Sequence, residues 1–430
     1  MPSRPTHRTA RLLRARGLAA AALLLSACGD ATGPEPITEL PRALTASEQA
    51  VIRHANGFGF ELMREVLARD DRDNVVLSPF SASMALGMTL NGAAGGTFDA
   101  MSATLGFEGL TQSEINDSYA GLIVLLTGLD PEVRFDIANA IFANEDFPFH
   151  DAFMQAVAAA FDAHTETRDF SDPATLDAVN AWVDASTGGL IDRILEELDP
   201  DLVMLLLNAI YFDGAWTTQF DPADTRRQSF TRADGSQVDV DMMNIDEVEL
   251  PLGHGATYSA VELPYGGEAF SMVVAVPHGG VDLRDFFASL DEAAWDALVE
   301  GLNTTEVDLV AIPKFTLTYD TFLNDALMAM GMDVAFRPGA DFTNLSPLGD
   351  RLCIDFVRQK TFIEVDERGT RAAAVTAVGI RPTSFNGLIA DRPFAFAIRE
   401  RLSGTILFMG AVGDPTAEDP GAEPYTRTCL

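Results

Sequence analysis

The spacing of apolar residues changes after Leu202, and this change constrains the fold more than any other feature of the chain. Before it, apolar residues recur three and four positions apart, as in EQAVIRHANGFGFELMREVLARD, which is typical of amphipathic helices. After it, the spacing becomes two, or the apolar runs are continuous, as in FSMVVAVP and TILFMGAV, which indicates strands. Helices followed by strands, without regular alternation, predict an α+β fold.

The same patterns place the individual elements. Further helices are expected in SASMALGMTLNGAAG, TFDAMSATLGF, SEINDSYAGLIVLLTGL, DAFMQAVAAAF, residues 174–195 and, among the later strands, LNDALMAMGM. Strands are expected in VMLLLNAIYF, YSAVELPY, FSMVVAVP, VDLVAIPKFTL, LCIDFV, TFIEV, PFAFAIRE and TILFMGAV. Because no internal repeat and no clear linker interrupts residues 44–415, we expect one large mixed domain there, followed by a polar tail over 416–430.

The amino-terminal residues 1–27 have the features of an export signal. They carry five arginines and no acidic residue, and their apolar run, 18–25, is too short to span a membrane. Residues 25–28, Leu-Ser-Ala-Cys, resemble the bacterial lipobox, which implies a diacylglycerol on the thiol of Cys28 and cleavage just before it. Residues 28–43 would then be the lipidated cysteine and a flexible tether, rich in Gly, Pro and Thr. We expect an exported protein held on the cell envelope by this lipid; ordinary cleavage near Ala27, giving a free extracellular protein, is the alternative.

The charge of the chain excludes one class of partner. The net charge is −35, and loss of the five signal arginines takes it to −40. Such a surface repels a phosphate backbone, so nucleic acid is not an expected partner. With 47% hydrophobic residues and no further long apolar run, the remainder predicts a soluble globular body.

The three cysteines do not suggest a disulfide framework. If Cys28 is lipidated, two remain. Cys353 lies in the apolar run LCIDFV, which favours a buried free thiol, and Cys429 lies in the polar tail. A bridge between these two is the less favoured alternative.

The chain lacks the usual signatures of catalysis. No pair of its six histidines has metal-ligand spacing, and HExxH, CxxC, a Gly-rich phosphate loop and GxSxG are all missing. We therefore expect a protein that is not an enzyme and that has neither a metal nor a cofactor.

Residues 364–394, EVDERGTRAAAVTAVGIRPTSFNGLIADRPF, separate two expected strands and are neither turn-rich nor apolar enough for a core. From residue 370 the side chains alternate. One face holds the small residues Thr370, Ala372, Ala374, Thr376 and Val378, and the other holds Arg371, Ala373, Val375 and Ala377. A strand with such a small face can enter between two existing strands without overpacking the core beneath it. Taken alone, the run also fits an ordinary helical turn or an edge strand.

Five other segments give this stretch its context. In chain order they are residues 74–101, NAIYFDGAW (208–216), VELPY (261–265), IPKF (312–315) and the closing pair ADRPFAFAI and GTILFMGAV. Together they resemble the serpin family over nearly all of residues 44–415, and residues 364–394 resemble the hinge and reactive centre loop of serpins. The resemblance implies about nine helices, three β-sheets and an exposed reactive loop over 369–390.

The resemblance also implies a function. A serpin inhibits a serine protease, or in some cases a cysteine protease, as a suicide substrate: the cleaved loop inserts into the central sheet while the protease is still attached. We expect such a protease as the partner and a monomeric inhibitor. The alternative is a non-inhibitory serpin-like surface protein, for binding or structure, that is only cleaved, and the small face of the hinge argues against it.

Residue roles follow from the positions that match the family. The hinge would be Glu367, Gly369, Thr370, Ala372, Ala373, Ala374 and Thr376. The breach, at the top of the sheet, would be Trp216, Lys314 and Glu367. The shutter, beneath the opening strands, would be Ser78, Ser81, Asn208 and Gln359, although Ser78 beside Pro79 also fits a helix cap.

The scissile bond depends on how the loop is counted. From Glu367 the family spacing places it between Thr383 and Ser384, and Thr383 implies an elastase-like protease. Counting back from Phe394 gives Pro382 instead, because the loop is about one residue short, and Arg381 would imply a trypsin-like protease. Two further departures are Gln359, where the family usually has histidine, and Arg371, where it usually has an acid.

Overall fold

The computed structural model describes residues 35–369, 385–422 and 429. Nine α-helices form in this part of the chain. They are α1 (Ala46–Leu67), α2 (Pro79–Leu90), α3 (Gly95–Thr104), α4 (Gln112–Leu126), α5 (Asp151–Phe161), α6 (Pro173–Ser186), α7 (Leu283–Ser289), α8 (Glu292–Glu300) and α9 (Asn324–Leu327).

Local sequence accounts for where the longest helices begin. Thr45 and Thr111 each accept a hydrogen bond from the backbone N–H three residues on, and Glu48 and Glu114 bond back to the caps, which completes a capping box in both α1 and α4. Helices α2 and α6 begin with proline, whose missing N–H costs nothing in the first turn.

Fourteen strands form three sheets within the described residues. The strands are β1 (Asn74–Leu77), β2 (Val133–Asn144), β3 (Ala163–Arg168), β4 (Met204–Gly214), β5 (Arg226–Thr231), β6 (Gln237–His254), β7 (Tyr258–Tyr265), β8 (Phe270–Pro277), β9 (Asn303–Pro313), β10 (Phe315–Phe322), β11 (Arg358–Val365), β12 (Gly387–Ile389), β13 (Phe394–Glu400) and β14 (Ile406–Val412). The largest sheet has nine strands in the order β1-β14-β13-β8-β7-β6-β9-β12, with β5 paired to β6. The other two are β3-β2-β4 and β10-β11.

The core explains why some strands are continuous apolar runs. Every residue of β8, β13 and β14 is buried, because these adjacent strands lie in the middle of the largest sheet. Helix α2 packs against both β14 and β4, so one helix contacts the large sheet and the three-stranded sheet together.

The α+β prediction, with nine helices and three sheets, is confirmed for the described residues, but several segment predictions are wrong. LCIDFV is extended without belonging to a strand; β11 begins only at Arg358. The helix expected over 174–195 ends at Ser186. The helix expected in LNDALMAMGM is α-helical only as far as Leu327, and the following turn is a π-helix containing Gly331 at a φ of 112°.

The expectation that Cys353 is a free thiol is also wrong. Cys353 and Cys429 form a disulfide, with their Cα atoms 5.7 Å apart. The physical reason lies in the tail. The carboxylate of Asp419 accepts a hydrogen bond of 2.8 Å from the backbone N–H of Asp320 in β10, and β10 pairs with β11, which begins five residues after Cys353.

Part of the segment expected to be a flexible tether lies against the body. The N–H of Ile37 donates to the carbonyl oxygen of Gly267 at 2.7 Å. The guanidinium of Arg42 contacts the carboxylate of Glu48 at 2.6 Å and donates to the carbonyl oxygen of Gly121 at 3.0 Å. Residues 35–43 are therefore fastened, whereas Cys28 lies outside the described residues.

Candidate functional site

A slot separates β4 from β11. Among the residues that the structure describes, β4 pairs with β2 and β11 pairs with β10, and no backbone pairing joins β4 to β11 directly. The cavity between them has a volume of about 430 Å³ and is lined by residues 202–212 on one side and 351–363 on the other. This gap between two strands of comparable length is the main geometric feature of the site.

Trp216 lies two residues beyond the end of β4, next to the chain that pairs with Gly369. Its side chain is 3% exposed and stacks on Tyr265, with ring centroids 4.4 Å apart and an interplanar angle of 16°. The indole Nε1 donates to the carbonyl oxygen of Asp366 at 2.8 Å, and the backbone N–H of Trp216 donates to the carbonyl oxygen of Arg368, also at 2.8 Å. The tryptophan therefore ties the end of β4 to the chain that leaves β11.

Lys314 and Glu367 meet beside this tryptophan. Lys314 Nζ lies 2.8 Å from Glu367 Oε2, and the hydroxyl of Thr225 donates to Glu367 Oε1 at 2.5 Å. The Glu367 side chain is 1% exposed, against 20% for Lys314. Burial opposes ionisation of this carboxyl, but the hydrogen bonds from Lys314 and Thr225 outweigh it and hold the pKa of Glu367 below its ordinary value of 4.5. Sequence analysis predicted that Trp216, Lys314 and Glu367 lie together as the breach, and the structure places them side by side. Thr225, which contacts Glu367, was not predicted.

Gly369 occupies the mouth of the slot. It pairs antiparallel with both Ala215, just after β4, and Asp366, just after β11. A Cβ atom at this position would lie 2.1 Å from the carbonyl oxygen of Gly214, so the close approach of the two backbones requires glycine. The chain has thus turned back at residues 366–369 and points into the gap.

Ser78 and Gln359 join the floor of the slot to β11. The Gln359 side chain accepts from the N–H of Ser78 and donates to its carbonyl oxygen, both at 3.0 Å. The Ser78 hydroxyl donates to the carbonyl oxygen of Leu407 in β14 at 2.7 Å and does not cap α2. The amide at position 359 therefore makes a paired contact in which it both donates and accepts.

Asn208, in β4, lies across the slot from this pair and contacts the neighbouring strand β2. Its Nδ2 donates to Asn139 Oδ1 of β2 at 2.7 Å, rather than to a shutter serine. Its Oδ1 is buried and has no hydrogen-bond partner among the described residues. Ser81 lines the same slot, and its hydroxyl makes no hydrogen bond to the part of the chain that is described.

Two residues of this region were missed by sequence reasoning. Asn139 lies opposite Asn208 in the β2–β4 register, and Thr361 donates its hydroxyl to the carbonyl oxygen of Val76 at 2.8 Å. A polar residue within the mainly apolar run IANAIFAN was the available signal for Asn139.

The expected loop itself falls outside the described residues. These positions are Thr370, Ala372, Ala373, Ala374 and Thr376 of the hinge, and Arg381, Pro382, Thr383 and Ser384 around the scissile bond. The chain is described again from Phe385, whose side chain is 41% exposed. The N–H of Asn386 then donates to the Asp308 carboxylate at 2.7 Å, and β12 runs parallel to β9.

The described residues contain no group of three or more His, Cys, Asp or Glu side chains placed to hold a metal ion. A helix long and apolar enough to cross a membrane is likewise not found among them.

Comparisons with known proteins agree with this geometry. The sequence model of the family described as Serpin (serine protease inhibitor) matches residues 53–415. Serpin-Z1C from Triticum aestivum is 34% identical over 386 residues, covering 85% of this chain and 96% of its own. Human neuroserpin is 32% identical over 366 residues, covering 81% of this chain and 88% of its own.

Solved structures give the same result. Native tengpin, a thermophilic serpin, is 31% identical, covers 89% of this chain and 97% of its own, and superimposes with a TM-score of 0.77. Thyroxine-binding globulin in complex with thyroxine is 26% identical, covers 85% of this chain and 99% of its own, and has a TM-score of 0.76.

Proposed function

The chain belongs to the serpin family, and we propose that it inhibits serine proteases as a suicide substrate. The observation that carries this proposal is the slot between β4 and β11, with Gly369 turned into its mouth. Serpins are generally inhibitors and not catalysts, in keeping with the lack of catalytic signatures in the sequence.

The slot is suited to one additional strand. Gly369 pairs antiparallel with both flanking chains, so a strand continuing from it would run antiparallel to β4 and β11 and could bond to both. The buried Oδ1 of Asn208, which lines the slot, would gain a donor. Satisfying a buried acceptor of this kind is favourable by about 1–3 kcal/mol.

The sequence after Gly369 fits that gap. Thr370, Ala372, Ala374 and Thr376 would face the core beneath the slot, and all are small. A new strand adds on the order of a dozen hydrogen bonds of about 1 kcal/mol each, and the methyl groups that it buries act with these bonds against the cost of ordering the loop. The uninserted state would then be held by a kinetic barrier and not by its free energy.

The inhibitory reaction begins as ordinary proteolysis. The protease serine oxygen attacks the carbonyl carbon of Thr383, the bond to the nitrogen of Ser384 breaks, and the new amine leaves with a proton. Thr383 stays bound to the protease as an ester. About thirteen inserted residues at roughly 3.3 Å each then carry that ester on the order of 40 Å. The protease is deformed where it comes to rest and cannot hydrolyse the ester with water.

A panel of serine proteases incubated with the purified mature protein tests this proposal. We expect a covalent complex that survives boiling in detergent with an elastase-like protease, and a new amino terminus at Ser384 by mass spectrometry. A covalent complex with a trypsin-like protease, with cleavage after Arg381, would support the inhibitory function but would place the scissile bond after Arg381 instead of Thr383. Complete turnover by every protease, with no complex, would refute the inhibitory function.

The second candidate function is that of a non-inhibitory serpin-like protein, for binding or structure. The fold of thyroxine-binding globulin, which is solved in complex with thyroxine, matches this chain about as well as that of tengpin. A non-inhibitory serpin-like protein that is only cleaved would give the turnover result above.

We also propose that the inhibitor is displayed on the cell envelope through a lipid on Cys28. The support is the arginine-rich export signal and the Leu-Ser-Ala-Cys sequence that ends at Cys28. Replacement Cys28→Ser should move the protein from the membrane fraction to the soluble fraction; an unchanged distribution would count against the anchor.

A further inference from the structure

Two histidines outside the slot meet at one serine hydroxyl. His254 Nδ1 lies 2.9 Å from Ser259 Oγ, and His278 Nε2 lies 3.2 Å from the same oxygen. Both histidines are exposed, and Ser259 is half-buried. None of the three lines the described part of the slot, so the proposed inhibition gives this cluster no role.

Three adjacent strands of the largest sheet bring these side chains to one face. His254 lies directly opposite Ser259 in the pairing of β6 with β7. Ser259 lies opposite Val276 in the pairing of β7 with β8, and His278 follows two residues later, just beyond the end of β8. Directly opposite residues and those two further along share a face of a sheet, so both rings can reach the serine.

Backbone hydrogen bonds fix the three positions relative to one another. The N–H of Gly255 donates to the carbonyl oxygen of Tyr258 at 2.9 Å and closes the turn between β6 and β7. The N–H of His278 donates to the carbonyl oxygen of Thr257, in the same turn, at 2.8 Å. The backbone is therefore held, while the exposed rings remain free to rotate about their side-chain bonds.

The proton of the serine hydroxyl limits what it can do for the two rings. A hydroxyl has one hydrogen to donate, so it satisfies both rings only if one presents a nitrogen lone pair and the other an N–H. A metal cation accepts a lone pair from both rings at once, and the hydroxyl oxygen still has lone pairs to offer. Imidazole nitrogen is a ligand that zinc, copper and nickel ions all accept.

The two ring nitrogens are within reach of a single ion. Their separation cannot exceed the sum of their distances to Ser259 Oγ, which are 2.9 and 3.2 Å. Two zinc–nitrogen bonds of about 2.0–2.1 Å at a tetrahedral angle require the nitrogens to be roughly 3.4 Å apart. Rotation of the exposed rings closes the remaining difference without moving the backbone.

The charge of the surroundings favours a cation. The net charge of the chain is −35, which draws cations to its surface. Arg392 lies next to Gly279, the residue after His278, and is a positive charge near the cluster. Its guanidinium is paired with the carboxylate of Asp391 at 2.9 Å, which compensates that charge.

We propose that His254 and His278 bind one divalent transition-metal ion, with the hydroxyl of Ser259 and water in the remaining positions. Such a site has fewer protein ligands than the four of a structural zinc site, and it binds correspondingly more weakly. The bound ion links the end of β8 to the β6–β7 turn. The expectation of a protein without a metal missed it because the two histidines are far apart in sequence and meet only through strand pairing.

Copper(II) is the probe for this site. Among first-row divalent ions it binds nitrogen ligands most tightly, and its electron paramagnetic resonance spectrum reports the coordinated nitrogens. One equivalent is added to the purified mature protein and to the variants His254→Gln, His278→Gln and Ser259→Ala. The matched control is His164→Gln, which removes an exposed histidine on β3.

We expect one copper ion per wild-type chain, with a spectrum of two imidazole nitrogens. Each of the two cluster variants, His254→Gln and His278→Gln, should lose one nitrogen signal and bind about tenfold more weakly or worse, since even loss of an outer-sphere partner costs about tenfold or more. Ser259→Ala should keep both nitrogens, and the control should match the wild type.

The melting temperature gives a second readout. An ion that binds only the folded protein stabilises it, so zinc(II) should raise the melting temperature of the wild type and of His164→Gln but not of His254→Gln or His278→Gln. Melting of the metal-free samples shows that each variant is folded.

Two results would overturn the metal site. The first is a copper affinity and spectrum that stay the same when His254 or His278 is replaced. The second is an equal loss in His164→Gln, which would mean that scattered surface histidines bind the ion. Neither result bears on protease inhibition, because the site is separate from the slot.

Discussion

At the mouth of the slot, Lys314 compensates the charge of the buried Glu367 carboxylate. Glu367 is 1% exposed, and Lys314 is the cation 2.8 Å away from it. Replacement Lys314→Met keeps the length of the side chain but leaves the charge of Glu367 uncompensated. We expect the free energy of unfolding to fall by about 2 kcal/mol, less than for a completely buried pair because Lys314 is partly exposed.

Urea unfolding of the variant measures this loss. The matched control is the double variant Lys314→Met, Glu367→Gln, in which no buried charge remains, and it should recover at least half of the loss. A single variant as stable as the wild type would mean that this ion pair does not hold the breach closed.

The same carboxylate predicts a dependence on pH. Its pKa in the folded protein is lowered, despite burial, by the contacts with Lys314 and Thr225, so the stabilisation is complete above the ordinary value of 4.5. It is lost as the pH falls through the lower, folded value. We expect the free energy of unfolding of the wild type to exceed that of Glu367→Gln near neutral pH, with the difference shrinking below pH 4.5. A difference that stays constant between neutral pH and pH 3 would contradict this account.

At the scale of elements, insertion depends on which face of the hinge strand carries a charge. Ala374 belongs to the face expected to point into the core, and Ala373 to the face expected to point out. Ala374→Asp should convert the inhibitor into a substrate, because a carboxylate buried without a partner opposes insertion. Ala373→Asp, the same change one residue away, should keep most of the inhibition. The fraction of protein captured as covalent complex measures both, and equal fractions would contradict the alternating-face interpretation.

The strands that could be predicted from the sequence are those whose residues are apolar along the whole strand. Strands β8, β13 and β14 are buried along their whole length, so their apolar runs indicate them directly. Strand β2 was missed because it contains Arg134 and Asp136 and forms by pairing with β3 and β4, which are distant in sequence. Without β2, the contact between Asn139 and Asn208 could not be foreseen.

The opposite error occurred in LCIDFV. Its composition is that of a strand, but the structure places it beside the slot before β11 begins, and within the described part of the chain it belongs to none of the three sheets. The disulfide was missed for a similar reason. Sequence gives no distance between Cys353 and Cys429, and the contact that fixes Asp419 to β10 joins residues that are distant in the chain.

At the scale of the whole molecule, the proposed insertion predicts that the uncut protein is not in its most stable state. The two sheets β3-β2-β4 and β10-β11 would become one six-stranded sheet if a strand entered between them. Cleavage of the loop frees its proximal part to do so, because that part stays joined to β11 through residues 366–369. About a dozen new hydrogen bonds, at about 1 kcal/mol each, and the apolar surface buried with them act against the cost of ordering the loop, and we expect a net stabilisation of the cleaved protein on the order of 10 kcal/mol.

A gain of this size is large enough to measure as a shift in melting temperature. Since 1 kcal/mol corresponds to about 2–4 °C in a domain of 150–250 residues and to less in a larger one, the cleaved protein should melt at least about 10 °C higher than the intact one. The cleaved Ala374→Asp variant is the control, because it has the same cut but a hinge that resists burial. Its melting temperature should stay near that of the intact protein. If cleavage left the melting temperature of the wild type unchanged, or raised that of the variant equally, then the slot would not be filled by the hinge strand, and the stabilising force proposed for inhibition would be missing.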